Sequence, residues 1–341
     1  MTKELKPTYG DFALRGKVTW IERPKAFRED TGSSGYTYRG LSFGVKTADD
    51  NIVAVDMFQT KFDEVQLQNI ETKKRDKKVS YGEHDVEDLP DGYRLFMPVN
   101  LGLEKDDKGD NIKKQLIQYD AIKYIKDNLK NDQSVFIFGS NRFSEYEKDG
   151  NTTLQHQFEP RGIYLTSDAY EDEKFTSQAT FKQTIVLRKT EKKENRLIVD
   201  AYIITDKKGN FVPHRFYVDI TKYKAFAMNL HKLKFGSILN VEGIIRHTVT
   251  QKQVETKDNG WGESPEPRTN ETVKKELEIT KAEKPKKDDE EYYSKVDFTK
   301  KVEKKQEDNP FDEKEEGNDN DWGSSPTEED IFEEDEEDPF A

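Results

Sequence analysis

The sequence predicts a mainly β protein: two tandem five-stranded barrels, each with a short helix, followed by a disordered acidic tail. Three observations carry this expectation. Apolar residues alternate with polar ones through most of 11–283, the period of half-buried strands. The order strand, hairpin, helix, hairpin occurs twice. From 306 to 341 the chain holds 17 Asp and Glu against one basic residue, Lys314. Such a segment buries too little apolar surface to offset its ordering entropy.

The elements follow in chain order. Phe12, Leu14, Val18 and Trp20 share one parity, and Arg15, Lys17 and Thr19 the other, which makes a half-buried strand. Residues 36–47 and 51–60 pair around Asp49-Asp50, with Leu41, Phe43 and Val45 on one face. Ile117, Ala121, Ile122, Ile125 and Leu129 recur at helical spacing. A second hairpin, 135–146 with 152–166, turns at Asp149-Gly150-Asn151. The order then repeats: a strand at 181–189, a hairpin of 196–205 and 211–220 turning at Lys208-Gly209-Asn210, and a helix striped by Tyr223, Phe226, Ala227, Leu230 and Leu233. Gly236 is its expected C-cap, and strands 237–250 and 272–280 close the set. This is the OB-fold order. The expected domains are 1–170, with an insertion at 62–111, and 175–283; linker and tail occupy 284–341.

Charge and composition narrow the function classes. The chain has 341 residues and a formal net charge of −13. The 306–341 block accounts for −16, so the rest carries +3, the difference between the two. There is no cysteine, which excludes disulfides, thiolate nucleophiles and cysteine-ligated metal. The five histidines (84, 156, 214, 231 and 247) are not spaced as metal pairs. No phosphate loop, nucleophile elbow or zincin motif occurs. The expectation is a non-enzymatic, cytoplasmic protein with no cofactor and no metal; a nuclease built from scattered carboxylates stays open as an alternative.

What the chain does carry is aromatic and basic residues interleaved on strands. In the first half these are Trp20, Arg23, Lys25 and Arg28, then Tyr36, Tyr38 and Arg39, then Arg142, Phe143 and Tyr146. In the second half Lys182 and Arg188 oppose core-like Ile185 and Leu187, and Tyr202, Arg215, Tyr217 and Arg246 oppose the core parity of their strands. An unpaired base needs a flat π-face, and its phosphate needs Lys or Arg nearby. Tyr and Phe are also ordinary strand residues, so most of the aromatics are expected in the cores. Single-stranded DNA is the expected ligand. Two alternatives stand beside it: an interaction or DNA-mimic protein that binds no nucleic acid, and an RNA-binding protein.

The tail ends Glu333-Glu-Asp335-Glu336-Glu337-Asp338-Pro339-Phe340-Ala341, and Pro310-Phe311 echoes it upstream. A ring after proline amid acids suits a docking peptide: the ring fills a pocket, and the acids steer toward a basic rim. On the barrel order over 11–283 and this acidic Pro-Phe end, the chain resembles single-stranded DNA-binding proteins, phage-encoded ones especially. The resemblance implies barrels that coat unwound DNA and a tail that recruits replication, recombination or repair proteins, in a host bacterial cytoplasm if the chain is phage-encoded. Bacterial members usually carry one short barrel and end on Phe itself; here two barrels are expected, and Ala341 follows Phe340.

Overall fold

The computed structural model describes residues 3–32, 35–148, 150–254, 268–283 and 292–298. Strand β1 (Gly10–Thr19) turns Phe12, Leu14 and Val18 inward, as its alternation requires. Strands β2 (Phe27–Thr31), β3 (Thr37–Ala48) and β4 (Asn51–Thr60) form an antiparallel meander, and β3 pairs with β1. A separate small sheet, ordered β6-β5-β7, is made of β5 (Glu64–Asn69), β6 (Lys77–Ser80) and β7 (Tyr93–Leu95). Then come β8 (Val99–Lys105), β9 (Asn111–Leu116), helix α1 (Gln118–Asn128), β10 (Ser134–Lys148) and β11 (Asn151–Leu165). Helix α1 buries Tyr119, Ala121, Ile122 and Ile125, the apolar stripe that its spacing implies. The wall runs from β4 through β3, β1, β10 and β11 to β8, with β8 parallel to β11. The stretch expected as an insertion at 62–111 therefore supplies a wall strand as well as the small sheet.

The second set is β12 (Gln178–Lys193), β13 (Arg196–Ile204), β14 (Phe211–Asp219), α2 (Lys224–His231), β15 (Ile238–Val254) and β16 (Arg268–Ala282). Its pairings close a ring: β12 to β13 to β14 to β16 to β15 and back to β12. The parallel β14–β16 pair registers Tyr217 with Glu278. The β13–β14 turn is fixed locally. Gly209 has φ 78°, and the Asp206 carboxylate accepts from the Lys208 and Asn210 N–H groups at 2.8 and 3.0 Å.

The chain divides into two compact units. One is Gly10–Arg142 with Gln155–Phe181; the other is Met1–Tyr9, Phe143–Leu154 and Lys182–Ala341. The second unit differs from the expected bounds at both ends. Thr8 N–H donates to the Ile204 carbonyl at 2.8 Å. Leu5, Val186, Ile204, Tyr293 and Phe298 form one buried cluster. Residues 292–298, inside the stretch expected as linker, include a 3-10 turn at Lys295–Phe298. Average charge over 284–305 hides two aromatics that gain enough by burial to order their neighbours.

Gly236 plays a different part from the expected helix cap. Helix α2 ends at His231, and Gly236 lies beyond it with φ +83°. A Cβ there would collide with the Tyr293 carbonyl. Glycine lets the backbone of 292–298 lie directly on the barrel, where the Tyr293 N–H donates to the Gly236 carbonyl at 3.1 Å.

Candidate nucleic-acid interface

In the first unit, odd residues of β3 and β4 face the core: Leu41, Phe43 and Val45 opposite Val53, Val55 and Met57. Even residues therefore face outward. Register places Arg28, Gly40 and Phe58 in one row across β2, β3 and β4, and Asp30, Tyr38 and Thr60 in the next. The Tyr38 and Phe58 rings meet on the diagonal, centroids 5.4 Å apart and tilted 39°. Phe58 is 45% exposed. Between Arg28 and Phe58, Gly40 leaves a flat floor. Further along the same face Ser42 donates to Asp56 at 2.5 Å.

The other end of this face belongs to Trp20. Its φ of 67° turns the chain out of β1, and its ring lies across Gly44, where a Cβ would meet Trp20 Cε3 at 2.8 Å. Arg23 stands over the Trp20 ring at 4.6 Å. Arg23 also lines an open depression with Pro24, Phe27, Lys126 and Lys130. The structure thus gathers Trp20, Arg23, Arg28 and Tyr38 onto one surface running from Gly44 to Tyr38, six residues or about 20 Å. Lys25 and Tyr36 are exposed in the flanking turns.

Other expected residues of the first half are engaged elsewhere. Arg39 is a tie: it donates to Glu29 at 2.9 Å and Asp120 at 3.3 Å and lies 4.0 Å over the Tyr119 ring. Asp120 also accepts from Tyr81 Oη at 2.5 Å and pairs with His84 Nε2 at 2.7 Å, binding the 3-10 turn after β6 to helix α1. Burial beside that carboxylate pushes the Tyr81 hydroxyl pKa well up. Arg142 and Tyr146 are exposed on β10, but Phe143 between them is buried and meets His214 edge-on at 4.8 Å. That leaves Phe143 no open face for a base.

In the second unit the expected outward set is mostly covered. Tyr217 is buried, 7% exposed, under the Arg196 guanidinium at 4.3 Å. Its hydroxyl donates to Glu278 at 3.3 Å, and burial pushes its pKa up. Arg246 pairs with the same buried Glu278 at 2.9 Å. Arg215 pairs at 2.9 Å with Asp200, whose side chain is 2% exposed, and Lys189 reaches it at 3.6 Å. Tyr202 stacks on Phe298 at 4.6 Å. Lys182 is exposed and pairs with Glu242 at 3.0 Å, and half-buried Arg188 lies 5.8 Å from the Tyr202 ring centroid. Alternation turns Tyr217 out of the barrel core, but lateral cover by Arg196 and Glu278 buries it.

Three aromatics outside the expected set prove informative: Phe58, Phe62 and Phe298. Phe58 was legible, because it opposes the core parity of Val53, Val55 and Met57. Phe62 is 59% exposed just past β4, beside Lys61, whose N–H donates to the Thr37 carbonyl at 2.8 Å. The tail positions Pro310, Phe311, Asp335, Glu336, Glu337, Asp338, Pro339 and Phe340 lie outside the described residues. Among the described residues, no cluster of three or more His, Asp or Glu is placed to hold a metal ion, and no helix is long and apolar enough to cross a membrane.

Comparison with known proteins gives a family and a loose structural likeness. The family model YorF matches residues 14–317, so the chain belongs to the YorF family. No curated protein matches it. Among solved structures it is similar to the single-stranded DNA binding protein from Thermus aquaticus. The wild type matches at TM-score 0.40 and 11% identity, covering 82% of this chain and 95% of that one. A deletion mutant of the same Thermus aquaticus protein matches at TM-score 0.40 and 12% identity, covering 83% and 97%.

Proposed function

We propose that this YorF-family chain binds single-stranded DNA without sequence preference on the outer face of β2, β3 and β4. Bases stack on Tyr38 and Phe58, while Arg28, Arg23 and Lys25 hold phosphates. One observation carries the reading: exposed and half-exposed rings alternate with guanidinium groups along a single solvent-facing surface of a barrel sheet. Each stacked base contributes about 1–3 kcal/mol, and stacking tolerates every sequence because every base has a π-face. Gly40 matters here because a side chain at that position would stand between the Arg28 and Phe58 contacts. Arg23 already lies over Trp20, so that end contributes positive charge rather than an open ring.

The acidic tail then recruits replication, recombination or repair proteins through Pro339-Phe340 and its upstream echo Pro310-Phe311, as the tail's resemblance implies. Its −16 charge also competes with DNA for the basic face. Deleting 306–341 should tighten DNA binding at low salt and abolish retention of such proteins.

The primary test is fluorescence anisotropy of labelled oligo-dT across salt concentrations, with matched duplex as control. Binding to single strand that weakens with salt, at a log–log slope of about −0.7 per phosphate contact, is expected. Equal binding to duplex, or none to either, overturns the reading. Competition between matched DNA and RNA strands decides which sugar is preferred.

A further inference from the structure

We infer that the second barrel contains a base-stacking slot of its own, filled in this structure by Phe298 and opened when the strap 292–298 leaves. This rests on the proposed binding of single strands by the chain and adds a second site for the same class of ligand, an unpaired nucleobase.

Strands β13 and β14 hold in the second ring the places that β3 and β4 hold in the first. On their outward face Tyr202 carries Phe298 nearly face-on, centroids 4.6 Å apart and planes 24° from parallel. That is the geometry of a base on an aromatic platform. Phe211 and Phe235 meet Phe298 edge-on at 5.0 and 5.9 Å and complete the walls. Arg188 lies 5.8 Å from the Tyr202 ring, and exposed Lys189 and Arg215 flank it at Asp200. Rings and cations are thus assembled as on the first barrel, except that a segment of this chain occupies the stacking position.

The occupant is held by burial of Tyr293 and Phe298 against Leu5, Val186 and Ile204 and by a few hydrogen bonds. Tyr293 N–H donates to Gly236, Lys3 N–H donates to Asp297 Oδ1 at 2.7 Å, and Lys6 N–H donates to Tyr293 Oη at 3.1 Å. Tyr292 and Val296 are 46% and 61% exposed. A stacked base with its phosphates on the flanking cations replaces the Phe298 contact in kind, while the burial of Tyr293 is given up, so DNA displaces the strap only by as much as it binds the open slot better. Gly236 supplies a way to tip that balance without touching the slot. A Cβ there collides with the Tyr293 backbone and leaves Tyr202, Phe211 and Phe235 unchanged.

The test uses the full chain with oligo-dT as probe. In wild type, hydrogen exchange at the Tyr293 and Asp297 amides is followed with and without saturating oligo-dT long enough to fill two barrels. Faster exchange with DNA bound is expected. Unchanged or slower exchange with DNA bound overturns the slot while leaving the first-barrel reading intact. In parallel, Tyr38→Ala with Phe58→Ala disables the first face, and Gly236→Ala or Phe298→Ala is added to that background. A gain of about tenfold or more in oligo-dT affinity on strap release is the expected result, the size of one stacked base. No gain with either variant, both still folded by circular dichroism, overturns the slot. No binding by wild type combined with a gain on strap release would support the slot and sink the first-barrel reading. No binding by any of these proteins sinks both.

Discussion

The outward faces of β3–β4 and β13–β14 begin from the same plan and end differently. Both are hairpins whose inner parity fills a core, and both place tyrosine on the outer parity with an arginine beside it, Arg28 from β2 on the first and Arg215 from β14 on the second. On β3–β4 the outer row keeps ring surface exposed: Phe58 is 45% exposed, Tyr38 leans on it, and Gly40 adds no side chain between them. On β13–β14 the outer residues acquire partners from their own unit. Asp200 draws in Arg215 and Lys189, Glu278 draws in Arg246 and Tyr217, and Phe298 covers Tyr202. Two buried carboxylates make much of the difference, because a buried charge is costly unless neighbours pair with it. The cations and the tyrosine that alternation turns outward are drawn down to satisfy them. An outward parity is therefore an opportunity for binding, which nearby buried acids can remove.

The sharpest way to break this contrast is to strip each face in turn. Tyr38→Ala with Phe58→Ala removes two stacking platforms, about 2–6 kcal/mol together or at least roughly thirtyfold in affinity for oligo-dT. Tyr217→Ala should leave that affinity unchanged, since Tyr217 is buried and presents no open ring. Anisotropy titrations that reverse this ranking would refute the assignment of the open face to the first barrel.

Next in size is the buried pair. Arg246→Ala leaves the Glu278 charge in the β14–β16 closure with only the Tyr217 hydroxyl as partner and should cost about 3 kcal/mol in the stability of the second unit. Urea unfolding reports the loss, with oligo-dT binding at the first face retained. A shift well under about 1 kcal/mol would mean that Glu278 is solvated.

Acid should separate the units further. Burial pushes His214 down to about 4 and His247 down to about 3, both below the ordinary value of 6.5. The unfolded chain therefore binds more protons below pH 6.5. The stabilising contribution of the neutral histidines is complete above that pH and is lost as pH falls toward the folded values. Between pH 6.5 and 5 buried His247 loses about 1.5 kcal/mol, and half-buried His214 loses less. Both residues lie in the second unit, so its urea midpoint should fall in that window and His247→Gln should reduce the slope. A flat midpoint from pH 6.5 to 5 would contradict the burial.

The smallest perturbation sharpens the contrast most finely. A Cβ on Gly40 meets only Met57 O and Phe58 Cδ2 at 3.8 and 3.9 Å, ordinary contact. Gly40→Asp should therefore fold with little change in thermal midpoint, yet weaken oligo-dT binding about tenfold through charge repulsion on the face. Unaltered binding would place the strand elsewhere.

Much of this architecture was legible from alternation. The strand hairpins, both helices and the repeated order appear at the expected places, because a period of two with one buried face leaves little choice of register. Phe58 was legible by the same rule. What alternation could not convey was the parallel partner of β11. It is β8, drawn from a stretch that reads as an interruption, and parallel pairing leaves no turn signature between its strands. The strap was equally hidden, since Tyr293 and Phe298 sit among charges that dominate any local average.

By itself, then, the sequence determined which residues face inward and where each hairpin turns, because those are local consequences of side-chain period and turn chemistry. Tertiary structure decided which outward residues remain outward. Tyr38 and Tyr217 occupy comparable parities in the sequence, yet one lies beside a bare glycine and the other lies under Arg196 against a buried glutamate. Burial of a residue depends on what the rest of the chain brings to it. For Tyr217 that neighbour is Glu278, sixty-one residues away, and no pattern within a single strand encodes its arrival.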